Sequence, residues 1–113
     1  MEARLSSATL VQALLRLAQR EGGFGAVLAK GDANAGAVTV ILTERGERRL
    51  VLERLLQPDG SYSWQESGNR AAANEDEFKK FLERRRKFDP DLWLLELDTA
   101  SAERFADEMR SVG

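Results

Sequence analysis

Two short apolar runs separated by a glycine-rich connector constrain this chain more than any other feature. They lie within Gly22 to Leu42, GGFGAVLAKGDANAGAVTVIL. Phe24 to Ala29 and Ala37 to Thr43 are too short for helices, rich in Val, Leu and Ile, and bounded by glycine, the pattern of strands buried on both faces or nearly so. The connector Lys30 to Gly36 carries glycines, Asp32 and Asn34, residues that tolerate positive φ or bond their own backbone, so it reverses the chain. The two runs are therefore expected to pair with each other as a β-hairpin. In the second run Val38, Val40 and Leu42 face one way and Ala37, Thr39, Ile41 and Thr43 the other, making it the expected central strand.

The rest of the chain reads as cover for that ribbon. Leu5, Leu10, Val11, Leu14, Leu15, Leu17 and Ala18 recur at helical intervals after Ser6 and Ser7, and Gly22 and Gly23 stop the amphipathic helix they define. Past the polar turn Thr43 to Arg48, Arg49 to Leu56 reads as a third strand, and Pro58-Asp59-Gly60-Ser61 turns the chain into a fourth at Tyr62 and Trp64. Gln65 to Ala73 has no period and reads as a surface connection containing Gly68-Asn69. Asn74 and Glu77 mark a second helix with Phe78, Phe81, Leu82 and Phe88 on its core face, stopped by Pro90. Leu92 to Leu97 is a fifth strand, compatible with a central place, and a cap at Asp98 or Thr99 opens a last helix on Ala102, Phe105, Ala106, Met109 and Val112. With 113 residues this is one domain, residues 1–113: an α+β fold, an antiparallel sheet of four to five strands packed by three helices in the order helix, strands, helix, strand, helix.

Cysteine and histidine are both absent, which removes disulfides, thiolate and imidazole metal ligands, cysteine nucleophiles and the Ser-His-Asp triad. No apolar run approaches the roughly 20 residues of a membrane span. Gln12 and Arg16 interrupt the one segment that a secretion signal would use, so the expected compartment is the cytoplasm. A formal charge of −2 argues against a general nucleic-acid binder. No cofactor, no catalytic residue and no metal ligand is assigned.

GGF, AVL, GD and AGAV at Gly22–Phe24, Ala26–Leu28, Gly31–Asp32 and Ala35–Val38, followed by FDPDLW at Phe88–Trp93, resemble a family of small bacterial proteins known only as domain of unknown function 1491. The match spans roughly half the chain and implies kinship and a compact α+β domain, with no activity attached.

Four groups of residues invite a functional reading, each with a structural one beside it. Asp32-Ala33-Asn34-Ala35-Gly36 opens like a calcium loop, but Gly36 and Thr43 stand where that loop needs an oxygen ligand and a bidentate glutamate. Asp89 and Asp91 flank Pro90 beside Trp93; paired carboxylates can hold a cation or serve as acid and base, and Asx-Pro is also a turn signal in its own right. Arg84, Arg85 and Arg86, with Lys87, suit either a nucleic-acid patch joined to Arg45, Arg48 and Arg49 or simply the end of a helix whose dipole favours cations. Tyr62 and Trp64 offer either an aromatic contact strand, such as a homodimer edge, or one face of the core. The expectation is a non-enzymatic accessory or protein-interaction module, self-association included. A metal-assisted carboxylate hydrolase using Asp89 and Asp91, or an RNA-binding accessory protein, is the alternative.

Overall fold

Ser6 opens the first helix by accepting the Thr9 N–H on its hydroxyl at 3.2 Å, and the helix α1, Ser7–Arg20, buries Leu10, Val11, Leu14 and Ala18 on one stripe. Gly22, at φ 86°, releases the chain from it into β1, Phe24–Ala29. There follow β2, Val38–Glu44; β3, Glu47–Leu56; β4, Tyr62–Glu66; α2, Glu75–Phe88; β5, Trp93–Asp98; and α3, Ala102–Met109. This computed structural model describes residues 5–67 and 73–111. Gly68-Asn69 of the expected surface connection and Val112 of the last helix lie outside the described residues.

The five strands stand in the order β1-β5-β2-β3-β4, mostly antiparallel with one parallel pair, β5 on β2. The expected hairpin between the first two strands is overturned. β1 and β2 do run in opposite directions, but β5 is inserted between them, with Val27 opposite Leu95 and Leu95 opposite Val40. A connector of eight residues, 30–37, easily crosses two strand spacings of about 4.8 Å each, so reversal of the chain does not require adjacency. In that slot β5 has a neighbour on each side, and Trp93, Leu94, Leu95 and Leu97 are all buried. β2 is the middle strand, as its pattern predicts. β1 is not buried on both faces: it is an outer edge, with Phe24, Val27 and Leu28 at 66%, 42% and 46% exposure.

Alternation along the strands sorts side chains onto two faces. Val38, Val40, Leu42, Leu52, Trp64, Trp93, Leu95 and Leu97 meet α1 and α3 in the main core, where Phe105 and Met109 are fully buried. On the opposite face Phe78 and Phe81 of α2, with Leu82 alongside, pack on Ile41 and Val51, and Thr39 and Leu94 are buried on that face as well. Register places Glu96 and Ala26 on that same face beside Ile41, and both are exposed, so α2 leaves this part of the β1 side uncovered.

Two further expectations fail for local reasons. Phe88 is 86% exposed, because it is the last residue of α2 and lies past the sheet that its helical neighbours cover. The cap of α3 is Ser101, whose hydroxyl accepts from Arg104 N–H, rather than Asp98 or Thr99. Asp98 is held instead at the end of β5, where its Oδ1 accepts from the Thr43 hydroxyl at 2.7 Å and the Gly46 N–H at 3.1 Å.

Candidate functional site

The two segments that carry the FDPDLW and GD–AGAV patterns are pressed together at one end of the sheet. Asp32 N–H donates to the Asp91 carbonyl at 3.0 Å, Trp93 N–H to the Ala37 carbonyl at 2.8 Å, and the Trp93 indole Nε1 to the Asp32 carbonyl at 2.7 Å. The approach is so close that a Cβ on Gly31 or Gly36 would stand 2.1 or 2.2 Å from the Asp91 carbonyl oxygen. Asp89 ends α2 and accepts the Asp91 N–H on Oδ1 at 3.2 Å, the Asx turn that its position before Pro90 suggests.

Around this junction the chain builds a cleft of about 530 Å³. Its walls are the start of α1 with Leu5, Ser6 and Ser7, the 34–37 loop, Arg54, Leu55, Leu56 and Tyr62 of the β3–β4 ribbon, and Asp89 with Asp91. Arg54 is 9% exposed and its guanidinium lies 4.1 Å from the centre of the Tyr62 ring. A helix start in a cleft would ordinarily suggest an anion site, but here the amides are already engaged: Ser7 N–H meets the Asn34 carbonyl, Ala8 N–H the Ala33 carbonyl and Thr9 N–H the Ser6 hydroxyl. Asp89 also borders a second hollow of about 390 Å³ floored by Ala29, Pro90 and Leu92 and rimmed by Lys30, Arg86 and Lys87. Among the described residues no three carboxylates converge closely enough to hold a metal ion.

The structure thus brings Asp89, Asp91, Tyr62 and Arg86 to one end of the molecule, with Trp93 buried beneath the same junction. Trp93 and Trp64 are each 5% exposed and belong to the main core. Arg85 leaves the cleft to pair with Glu53 at 2.5 Å. The two basic groups are separated along α2. Arg48 reaches Glu75 in its first turn at 3.1 Å, stacks 3.8 Å from the Phe78 ring centre and donates to the Ala73 carbonyl. Arg84, Arg85 and Arg86 lie in the last turns, about 15 Å further along the helix axis at about 1.5 Å per residue. Arg49 is engaged with Glu44 and Glu47 within its own hairpin.

The most distinctive surface is the outer edge of β1. A terminal strand carries a row of backbone N–H and C=O groups with no neighbour on one side, and proteins usually blunt it with charge, proline, a short strand or a bulge. β4, the other edge, is five residues long and ends in Gln65 and Glu66, both exposed. β1, FGAVLA, holds neither a charge nor a proline, and its large side chains are exposed. Its one irregularity is the register shift between Val27 and Ala29, which skips Leu28 in the pairing with β5. Phe24, Val27 and Leu28 escape the sequence reading because a buried strand and an apolar edge strand have the same composition; the glycines at 22, 23 and 25, which limit how much can be packed beside the strand, are the available hint. Arg54 escapes as well, although a lone arginine inside LVLERLL marks it.

A family model described as "Protein of unknown function (DUF1491)" matches residues 5–107. No curated protein matches the chain. The chain is similar to the solution structure of protein Atu0922 from A. tumefaciens, with 31% identity, 91% of this chain and 92% of that chain covered, and a TM-score of 0.75. It is similar, too, to an NMR structure of a DUF1491 family protein from Caulobacter crescentus CB15, at 32% identity, coverage of 92% and 94%, and a TM-score of 0.77. A crystal structure of a DUF1491 family protein from the same organism gives 31% identity, 90% and 94% coverage, and a TM-score of 0.74.

Proposed function

The chain belongs to the DUF1491 family, and from that premise we propose that it is a non-enzymatic protein-interaction module which recruits an extended segment onto the open edge of β1. The observation that carries this reading is an edge strand without charge or proline whose Phe24, Val27 and Leu28 are exposed. Backbone hydrogen bonds to an added strand supply affinity irrespective of sequence, and apolar side chains alternating along the edge supply preference for an apolar segment. The absence of histidine and cysteine from the sequence removes imidazole and thiolate chemistry, and the carboxylate pair is the alternative that the sequence singles out. Asp89 is a poor centre for that chemistry, since one of its oxygens is committed to the Asp91 amide.

A photo-crosslinking amino acid placed at Phe24, and separately at Gln65 on the opposite edge, tests the reading in living bacteria. Adducts are expected from position 24 that disappear when Ala26→Lys adds a charge to the same edge. No adduct at 24, or the same adducts from 65, ends it.

A further inference from the structure

We infer that the segment received by β1 is the β1 strand of a second copy, paired antiparallel about a two-fold axis at Ala26; this rests on the reading of β1 as the docking strand. Three features point to self-pairing. First, the strand is self-complementary in size. A two-fold at Ala26 sets Phe24 opposite Leu28 of the second copy and Gly25 opposite its Val27, so the largest exposed side chain meets an exposed aliphatic one and the next meets a residue without a side chain.

Second, the pairing opposes no like charges. From Gly22 to Ala29 the chain is uncharged, and the antiparallel register places Lys30 opposite Gly22 of the second copy, whereas a parallel one would set Lys30 against Lys30. Third, the flank of α1 on that side continues the neutral surface. Leu15 lies against Gly25, where an added Cβ would come within 2.7 Å of it, so Gln12 and Gln19, three and four residues away, share that side of the helix and are exposed. A six-residue strand edge alone falls short of the roughly 800 Å² per partner of a standard interface. Two α1 flanks meeting across the axis enlarge it, and the dimer is expected to be reversible, with a Kd on the order of 10 μM.

Sedimentation velocity of the full chain from about 1 μM to 1 mM, a range that brackets such a Kd, should move from monomer to dimer. Ala26→Lys and Ala26→Glu should each remain monomeric, and an equimolar mixture of the two should dimerise, because position 26 meets itself across the axis. Recovery on mixing cannot come from a variant that fails to fold. Since the chain has no cysteine, Ala26→Cys should form a disulfide-linked dimer on mild oxidation while Gln65→Cys stays monomeric. A monomer across the range, a dimer indifferent to both charges at 26, or equal cross-linking from 65 overturns the inference. Adducts to other proteins from Phe24 in cells, without self-association in solution, would leave the interaction reading standing and end this one.

Discussion

The indole Nε1 of Trp93 donates to the backbone carbonyl of Asp32 at 2.7 Å, joining residues 61 apart in the chain. Trp93 is 5% exposed and sits in the main core, so this side-chain bond joins the two backbone bonds, Asp32 to Asp91 and Trp93 to Ala37, that tie the connector between β1 and β2 to the entrance of β5. The two sequence blocks that carry the family resemblance are thereby packing partners, each shaped to the other. The carboxylates at 89 and 91 frame the same junction from its solvent side.

Trp93→Phe keeps most of the apolar bulk and removes the donor. It should cost about 1–3 kcal/mol, the usual loss for a donor taken from a buried pair. Urea unfolding followed by far-UV circular dichroism measures it, and a change below about 0.5 kcal/mol, within the range of ordinary surface substitutions, would contradict the role given to this bond.

Gly36→Ala should be among the more damaging small substitutions. Its Cβ would stand 2.2 Å from the Asp91 carbonyl oxygen and 2.9 Å from that of Asp32, both backbone atoms that cannot rotate aside. A loss of about 3 kcal/mol is expected. Gly46→Ala meets nothing within 4 Å and carries only the strain of its φ of 81°, worth about 1–2 kcal/mol. The ranking, read from paired denaturation curves, is the prediction.

Asp98 should contribute to acid sensitivity. Its carboxylate is held below the ordinary aspartate range, first by the Thr43 hydroxyl and then by the Gly46 amide. A carboxyl group depressed in the folded chain binds its proton more readily when unfolded. Its stabilising contribution is therefore complete above the ordinary pKa of about 3.9 and is lost as pH falls through the lower folded value. Asp98→Asn should lower Tm at pH 7, and the gap should close as pH drops below about 4. A gap that is the same at pH 3 and pH 7 would refute this.

On α2 the phenylalanines at 81 and 88 should behave oppositely. Phe81 is 6% exposed against Ile41 and Val51, and Phe81→Ala should cost about 3–5 kcal/mol. Phe88 is 86% exposed, and Phe88→Ser should change stability by no more than about 0.5 kcal/mol. Thermal denaturation of both variants decides it, and a large loss at Phe88 would mean that the end of α2 packs differently.

Features set by neighbours in sequence are legible in the residues themselves. Ser6 and Asn74 cap helices because a side-chain oxygen reaches an amide three residues on. Arg45-Gly46 turns the β2–β3 hairpin with both residues at positive φ, as a polar turn with glycine allows. The division of Val40 from Ile41 onto opposite faces follows from the two-residue period of any strand. At the candidate site, the Asx turn of Asp89 and Asp91 is legible for the same reason, being closed within two residues.

What tertiary structure alone decided is which strand stands beside which. Backbone ladders are the same for every apolar strand, so nothing local told β1 that β5, far later in the chain, would separate it from β2. That insertion pushed β1 to the rim and turned an expected core strand into the open edge on which the functional reading rests. The sequence by itself determined the elements and their buried stripes, because propensity and period act over a few residues. Adjacency, and with it the exposed surface, was settled only by long-range competition for places in one sheet.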